Sequence, residues 1–460
     1  KYRYDRYPGN HIGDTYDTDV SKDGVAFENT YSLSSLDLQS TDHSLNVYYN
    51  GNVGAWNIDL NTDLLWVSDK KSQYVDETVT PESRLSSQPI TTFNKVNNKL
   101  YASKLIFSRP LFGGEFSLGG EYSYTNRRSN YLNIEGILDD DFSEIKESNA
   151  AAFTEYSREI GNFQFLAGLR YEHVEFDYYK DNIHQDEQSR KYDDLFPSLS
   201  VLTAFGEVQM QLGYTQEISR PSYNSLRSHI YYANHYTYET GNPFLQPAIS
   251  HDISLIGVYK FWQLNASYQR RKDDVMSTTV PYSEENPIVV LFKPVNTPSY
   301  DVAYVQLSAT PTIKRWSPRF TLSVKKQWFE AESTEGPISL NRPQFQFRWQ
   351  NTFELPAGFL FNLNGNWQSK YDTMNARHNK ASWRVDADIQ KSLLNDRLTL
   401  QLNGHDLFLS QRSSWVDYRG DIYATQRVAK PNTRGISFVV RYRFNQGTDK
   451  YKGTGAGESQ

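Results

Sequence analysis

Long stretches of strict alternation between apolar and polar side chains are the feature that most restricts how this chain can fold. In QFQFRWQNTFEL, residues 344–355, the side chains at 345, 347, 349 and 353 are aromatic, and most of those between them are Gln or Arg. A period of two predicts a β-strand with two unlike faces. These stretches reach about 9–13 residues, which exceeds the ~5–6 of globular strands and matches the ~9–11 of tilted membrane strands.

Composition agrees with strands that face lipid on one side and water on the other. The chain is 38% hydrophobic and 15% aromatic, with 33 Tyr, 25 Phe and 9 Trp. Low hydrophobicity with many aromatics is unusual for a soluble core and typical of barrels with aromatic girdles. No apolar run approaches the ~18–20 residues of a transmembrane helix. The chain has no cysteine and a net charge of −6. No basic stripe is present, so we expect no nucleic-acid partner.

The connections alternate between short and long. Eight tight turns are predicted, near Asn52, Gly113, Gly161, Gly206, Phe261, Trp316, Ala357 and Asn395. Long loops are predicted between them, for example over residues 70–92, 126–149, 219–247 and 410–432. Short turns at one end and long loops at the other are the pattern of outer-membrane barrels.

The turns fix the expected strand count. Eight hairpins give sixteen strands, and a closing strand to Phe444 and one more within residues 27–38 bring the number to about eighteen. We therefore predict an all-β fold, a transmembrane antiparallel β-barrel of the bacterial outer membrane, over residues 1–445. Residues 446–460 are Gly-rich and polar, and we expect a periplasmic C-terminal tail.

Several motifs resemble one family. YTQEISRPSY from Tyr214, then YTYETGNPFLQP and HDISLIGVYKF, are similar to the outer-membrane β-barrel family of Bacteroidota, which is related to TonB-dependent receptors. HSLNVYYNGNVGAWNIDL and the closing VRYRFN and KYKGTGAG resemble it too. The resemblance implies a 22-stranded barrel with an N-terminal plug that imports metal chelates, vitamins or glycans, powered by TonB. The sequence shows no plug-like or TonB-box-like segment, so the chain is either part of a 22-stranded barrel or a reduced one.

Two functions follow as hypotheses. The first is the outer-membrane barrel of a TonB-dependent-receptor-like transporter for nutrient uptake. The alternative is a structural or scaffold barrel subunit of a larger outer-membrane complex, without transport of its own. The expected partners are outer-membrane lipid, a plug domain and TonB system encoded upstream, and surface lipoprotein or other complex subunits. A soluble all-β binding protein is disfavoured by strand length and the aromatic outer faces.

The loop at residues 219–247 is the candidate ligand-binding segment. Tyr and Arg offer stacking faces and hydrogen-bond donors at low entropic cost, which suits sugars or planar chelates. Its candidate ligand contacts are Arg220, Tyr223, Arg227, Tyr231, Tyr232, Tyr236 and Tyr238. The competing interpretation is that these rings pack the extracellular loops and the upper girdle. The motif GNPFLQP, residues 241–247, is interpreted as a rigid turn into the next strand.

Three further sets of residues are predicted to have structural roles. Polar residues of the alternating strands are predicted to line the lumen: Gln346, Arg348, Gln350, Asn362, Asn364, Gln368, Arg441 and Arg443. Aromatic residues beside short turns are predicted to form the periplasmic girdle: Trp56, Phe112, Phe261, Trp262 and Trp316. Aromatic residues of the closing strand resemble the assembly signal of outer-membrane proteins: Phe438, Tyr442 and Phe444.

We find no enzymatic motif, and we expect no catalytic residue, cofactor or metal. His173 and the pair His405–Asp406 stand in strand patterns, where a lone His is more often a girdle or lumen residue than a base. No serine has a nucleophile-elbow context. The acidic run DDDFSEIKE, residues 139–147, lacks the spaced ligands and turn glycine of an EF-hand loop. We expect it to be a solvated loop tip.

Overall fold

The computed structural model describes residues 1–22, 24–80, 89–284, 289–331, 336–418, 424–429 and 432–443. The regular secondary structure there consists of β-strands and one short 3-10 helix. The strands are β1 Tyr2–Lys22, β2 Val25–Val53, β3 Trp56–Thr80, β4 Ile90–Leu111, β5 Gly114–Asn133, β6 Asp141–Ile160, β7 Phe163–Lys180, β8 Ile183–His184, β9 Arg190–Phe205, β10 Val208–Ser219, β11 Ile230–Asn234, β12 Thr237–Thr240, β13 Ala248–Tyr259, β14 Trp262–Lys272 and β15 Val275–Pro281. They continue as β16 Val290–Asn296, β17 Tyr300–Ala309, β18 Trp316–Trp328, β19 Glu330–Ala331, β20 Ile338–Ser339, β21 Gln344–Leu355, β22 Phe359–Gln368, β23 Tyr371–Thr373, β24 Ala376–His378, β25 Ser382–Leu393, β26 Leu398–His405, β27 Ser413–Tyr418, β28 Ala424–Ala429 and β29 Gly435–Tyr442.

One large antiparallel sheet dominates the molecule. It contains 19 strands, of which β8 has only two residues, so eighteen long strands remain. Each long strand pairs with the next long strand along the chain, which is the order of an up-and-down meander. Among the described residues β1 pairs only with β2, and β29 pairs only with β26. The expected number of about eighteen strands is confirmed, but the separate strand predicted within residues 27–38 is wrong: these residues belong to β2 of the first hairpin, and the eighteenth strand is β1.

All eight predicted short turns are present, most of them with left-handed residues. Phe112 and Gly113 between β4 and β5 have φ of 50° and 74°. Two positive φ angles in a two-residue connection match the twist of the strands that it joins. Between β21 and β22, the turn is the 3-10 helix Pro356–Gly358, in which Ala357 has φ of 60°. The end of the sheet that carries these turns is called the short-turn end below.

Two predicted loops are wrong in extent. β3 continues to Thr80 and β4 starts at Ile90, so most of residues 70–92 is paired sheet. β5 and β6 likewise cover most of residues 126–149. β2 reaches 29 residues. The apolar signal ends where the lipid ends, but the two faces of a strand above the membrane are both wet, so its side chains need not alternate in polarity.

The register separates two continuous faces. Directly opposed residues lie on the same side of an antiparallel sheet, so the pairs can be followed from β7 to β21. They place Glu172 of β7 and Arg348 of β21 on one side, here called the polar face. Phe163 of β7 and Phe347 of β21 lie on the other side, the apolar face, where both rings are exposed. The predicted two-faced strands are therefore confirmed.

Smaller sheets cover parts of the polar face at the end opposite the short turns. β11 and β12 form a hairpin, and β12 pairs in parallel with β16, which pairs with β15. A second four-stranded sheet joins β23, β24, β27 and β28. One buried cluster, Ile145, Phe176, Tyr178, Leu226 and Leu245, joins strands β6 and β7 to residues 219–247. No helix of the described part of the chain is long and apolar enough to span a membrane.

Candidate functional site

Residues 219–247, here called the aromatic loop, lie on the polar face of the sheet. Arg220 at the start of the loop contacts Glu172 of β7 with Nη2 2.5 Å from Oε2. Glu172 also accepts a hydrogen bond from Arg170 Nε at 2.6 Å, and Arg170 reaches Glu121 of β5 at 3.2 Å. Glu172 is buried between the two guanidinium groups, which compensates a charge that would be costly to bury alone. This chain of charges fixes the start of the loop.

The next turn of the loop packs on the buried cluster. Tyr223 contacts this cluster, and its hydroxyl donates to Glu147 of β6 at 3.4 Å. Ser228 donates to Asp141 at 2.6 Å and accepts from the hydroxyl of Tyr178 at 2.9 Å. Apolar burial and hydrogen bonds therefore act together here, and backbone groups inside the loop are bonded to one another, as in the 2.8 Å bond from Ser225 N to Ser222 O.

The hairpin of β11 and β12 is fixed by two buried carboxylates of the long strands. The hydroxyl of Tyr232 donates to Glu77 of β3. His235 lies between Glu77, at 3.4 Å from Nδ1, and Glu28 of β2, at 2.9 Å from Nε2. Burial by itself lowers the pKa of His235, but hydrogen bonds to Glu77 and Glu28 raise it above the ordinary value. A protonated His235 is therefore favoured between the two carboxylates.

The loop ends in the predicted turn, which is confirmed. Asn242 N donates to Ser225 O at 2.7 Å, and Arg190 of β9 donates to the carbonyl oxygens of Pro243 and Leu245. Gly241 fits closely against the chain, because a Cβ there would lie 2.5 Å from Arg227 O and 2.6 Å from Ser225 O. A side chain at position 241 would therefore displace the segment that carries Arg227.

A cavity of about 630 Å³ lies between the aromatic loop and the polar face. Strand residues form one wall, including Lys71 of β3, Asn94 of β4 and Arg127 of β5. The loop contributes Arg227, Tyr231 and Tyr232 to the other wall. The volume is within the range of small-molecule sites.

Tyr231 is the centre of this wall. Lys71 Nζ lies 4.2 Å from the ring centre, and the guanidinium carbon of Arg227 lies 4.9 Å from it. The hydroxyl accepts a hydrogen bond from Asn94 at 3.2 Å. Tyr131 and His229 meet the ring edge-on at 5.6 and 4.8 Å. Two cations on one aromatic ring hold positive charge at the cavity.

Basic side chains outnumber acidic ones on the cavity wall. Lys71, Arg127 and Arg227 have no carboxylate within 4.0 Å among the described residues, although Asp69 and Glu239 also line the wall. His229 is only 4% exposed and lies close to these cations. Burial, together with the charges of Arg227, Lys71 and Arg127, lowers the pKa of His229 to about 3. Burial also lowers the pKa of Arg227 itself.

The seven predicted ligand contacts divide into two groups. Arg227, Tyr231 and Tyr232 lie on the cavity wall. The other four, Arg220, Tyr223, Tyr236 and Tyr238, face strands or other rings, and Tyr238 meets Tyr282 edge-on at 4.7 Å. The ligand role of the set stays a prediction. Lys71, Asn94 and Arg127 were missed because the sequence places them in or beside predicted loops.

The predicted lumen residues share the polar face. Gln346 opposes Gln368, Gln350 opposes Asn364, and the remaining polar positions of β21 and β22 pair in the same way. The face continues through Asp388 and Asn403 to the side of β29 that carries Arg441, and Arg443 N donates to Arg397 O at 2.9 Å. Their predicted lining of the lumen is consistent with this face and stays a prediction.

The predicted solvated acidic tip is wrong. Asp141, Glu144 and Glu147 of the run are all buried. Asp141 accepts from Ser228, and Glu144 accepts from Asn126 at 2.9 Å and Arg128 at 3.1 Å. Asp141 and Glu147 lie beneath the aromatic loop, whereas Glu144 lies on the other face beside Arg128, and all three carboxylates serve as acceptors. In the described ranges no group of three or more His, Asp or Glu side chains is placed to hold a metal ion.

Two histidines take the positions expected from the strand pattern. His173 lies on the apolar face of β7, exposed, with Nδ1 2.8 Å from Asp193. His405 ends β26, and Asp406 after it is fully buried, accepting from Ser410 N at 2.9 Å and from Thr433. Asp406 joins the loop after β26 to the segment before β29, which is a structural role.

The aromatic residues at the short turns have the predicted positions. Trp56, Trp262 and Trp316 are the first residues of β3, β14 and β18, and Phe112 and Phe261 lie in turns. On the closing strand, Phe438 and Tyr442 are exposed on the apolar face, opposite Leu402 and Leu398. Phe444 and the tail at 446–460 lie outside the described residues. The girdle and assembly roles stay predictions.

Solved structures with the same fold include a copper transporter and two receptors. Copper transporter OprC superposes with a TM-score of 0.55 at 10% identity, over 96% of this chain and 80% of that one. The ferric-catecholate import receptor Fiu from E. coli K12 gives 0.55 at 12% identity, over 95% and 77%. The siderophore receptor PiuA from Acinetobacter baumannii gives 0.53 at 9% identity, over 94% and 77%. At such low sequence identities, the structural similarity shows a shared fold and nothing about function.

A search of the curated proteins found no match. The family comparison is specific, because one family model covers residues 20–442, which is most of the chain. Together with the two-faced eighteen-stranded sheet, it places the molecule in the bacterial outer membrane as a β-barrel. The chain belongs to the outer membrane protein β-barrel family.

Proposed function

We propose that this barrel is the membrane component of a TonB-dependent-receptor-like system for nutrient uptake. The observation that carries the proposal is the cavity of about 630 Å³ enclosed between the aromatic loop and the lumen wall. A barrel with only a scaffold role would not need an aromatic loop that covers a cavity on its inner face. The fold shared with a copper transporter and two receptors supports the same function.

Uptake in this proposal consists of binding and gating, without covalent chemistry. A solute entering from outside meets Arg227, Tyr231 and Tyr232 first and then passes along the polar rows of β21 and β22. The cations of the cavity wall favour a solute that carries negative charge. A plug domain and a TonB system are the proposed partners, together with a surface lipoprotein or other outer-membrane subunits. An origin in Bacteroidota is part of the same hypothesis.

Depletion of nutrients from the medium tests the proposal and identifies the solute in the same experiment. Three otherwise identical strains are grown in complex medium: one with the intact gene, one without it, and one without TonB. Mass spectrometry of the spent medium identifies solutes that only the first strain removes. We expect at least one such solute, and we expect the change Arg227→Gln to reduce its removal while barrel levels in the outer membrane stay normal.

The scaffold alternative predicts a different result. If no solute depends on both this gene and TonB, uptake through the barrel is excluded. Loss of other outer-membrane subunits from the deletion strain in that case would assign the barrel to a larger complex. Arg319→Gln is the matched control, because Arg319 lies on the polar face of β18 and is not part of the cavity wall.

A further inference from the structure

A second cavity of about 630 Å³ opens on the apolar face, across strands β2 to β5. Its residues include Trp66 of β3, Tyr101 of β4 and Tyr124 of β5. Each is the eleventh residue of its strand from the short-turn end. Ten steps of a strand tilted by about 40° rise about 26 Å, which is the height of the lipid-facing band. The cavity therefore lies at the outer-leaflet boundary.

The side chains change in character over three neighbouring rows there. The lowest row is apolar and aromatic: Leu45, Leu64, Tyr101 and Tyr124. The next row mixes rings and cations: His43, Trp66, Lys99 and Asn126. The third row is polar: Thr41, Ser68, Asn97 and Arg128. Such a gradient matches a molecule with acyl chains below and a charged headgroup above.

The cations of this region are arranged for an anion. Lys70 and Lys95 are direct neighbours across β3 and β4, on the same face and just above the third row. Like charges directly opposed destabilise a sheet unless something neutralises them. Lys70, Lys95 and Lys99 have no carboxylate within 4.0 Å in the described part of the chain. Arg128 contacts Glu144 at 3.1 Å, yet its side chain remains 57% exposed.

The basic character is local to these strands. At the same height on the apolar face of β7 and β9 the ionisable residues are His173, Glu175, Lys191 and Asp193, and both basic side chains there contact a carboxylate. A girdle that only anchored the barrel would not need this difference between its two sides. The difference indicates a ligand of defined charge on the side of β3 to β5.

We propose that this cavity binds a phosphorylated glycolipid of the outer leaflet, of the lipid A class. The acyl chains lie against the row of Leu64, Tyr101 and Tyr124. The phosphate is held by Lys99 and Arg128, with Lys95 and Lys70 above it. The site is on the outer surface of the barrel and is independent of solute uptake through the lumen.

The test measures lipid retained by the purified barrel in detergent. Barrels are mixed with monophosphorylated lipid A or with the same lipid after removal of its phosphate, and bound lipid is counted by native mass spectrometry. We expect the phosphorylated lipid to bind at least about tenfold more tightly, because each basic residue at a membrane surface contributes severalfold. Equal binding of the two lipids by the unaltered protein would refute the site.

The double change Lys95→Gln and Lys99→Gln locates the site. Neither lysine has an ion-pair partner in the described residues, so the variant should fold, which heat-dependent electrophoretic mobility verifies. We expect its affinity for phosphorylated lipid A to drop by about tenfold or more, with little change in its affinity for the dephosphorylated lipid. Lys326→Gln with Lys391→Gln is the control, because both lysines lie on the apolar face elsewhere. Equal losses in the two double variants would reduce the effect to net charge and overturn the proposal.

Discussion

Lys71 of β3 places its ammonium nitrogen 4.2 Å from the centre of the Tyr231 ring, which joins the wall of the barrel to the loop inside it. The two residues are 160 positions apart in sequence, so only the fold brings them together. Arg227 approaches the same ring at 4.9 Å. The ring thus determines where two cations of the cavity are held.

Replacing Tyr231 separates the role of the ring from that of its hydroxyl. Tyr231→Phe keeps the ring and loses the bond from Asn94, whereas Tyr231→Ala loses both. We expect Ala to lower the hydrogen-exchange protection of residues 227–232 by about tenfold or more, since aromatic and cation contacts each contribute about 0.5–1.5 kcal/mol. Tyr231→Phe should lower this protection far less. Similar effects of the two changes would show that the ring contacts are not what holds the loop.

The docking of the aromatic loop should be most stable near pH 6.5. The pKa of His235 is raised, so its contribution is full below the ordinary value near 6.5 and is lost as the pH rises through the raised value. The pKa of His229 is lowered to about 3, so stability is lost as the pH falls below about 6.5. Each pH unit on that acidic side costs up to about 1.4 kcal/mol.

Hydrogen-exchange protection factors, corrected for intrinsic rates, measure this profile. His235→Gln should remove the alkaline decline and leave the acidic one. The rings of His229 and Tyr131 are stacked with their centres 4.5 Å apart, so His229→Phe should keep this stack and remove the acidic decline. A profile that keeps both declines in both variants would assign the pH dependence to other groups.

Gly241→Ala should disturb the cavity although residue 241 is not part of the cavity wall. The new Cβ would meet the backbone of residues 225–227 at 2.5–2.7 Å, so the segment that carries Arg227 must move. We expect a loss of about 1–3 kcal/mol in loop docking, as for other overpacked sites, and the same solute defect as Arg227→Gln. Gly257→Ala is the control, because a Cβ there would meet only Leu264 Cβ at 3.9 Å. A variant at 241 with normal uptake and normal protection would contradict the close fit.

Replacing Phe438, Tyr442 and Phe444 by Ser should block membrane assembly. The first two rings are exposed on the apolar face of β29, where the insertion machinery can read them. Ser437→Ala with Val439→Ser and Arg441→Ser changes the opposite face of the same strand and should leave barrel levels normal. Outer-membrane fractions probed by immunoblot measure both variants. Normal levels of the first variant would exclude an assembly signal in these three residues.

The sequence predicted the membrane-embedded part of the fold well, because there one face meets lipid and the other meets water. Trp56, Phe347 and Phe438 mark that difference directly. Above the lipid both faces are wet, so the extensions of β2 and β3 to 29 and 25 residues had no apolar signal. Pairing there is held by backbone hydrogen bonds, which do not depend on side-chain type.

The candidate site was predicted in part for a related reason. The loop rings were visible as a dense local motif, which is how Tyr231 and Tyr232 were found. The partners of the loop are single charged residues on two strands, Lys71 and Glu77 of β3 and Glu172 of β7, and no local pattern marks them. Only the register of the sheet shows that they face the same space.

The long strands affect how susceptible the protein is to proteases outside the cell. Lys71 lies fifteen steps from the start of β3, which is a height of about 39 Å for a strand tilted by about 40°, well clear of the bilayer. The chamber around it is nevertheless walled by paired backbone, and a secreted protease needs an extended, unpaired segment to cut. A protease arriving from outside should therefore cut these paired strand extensions as poorly as it cuts the strands embedded in lipid.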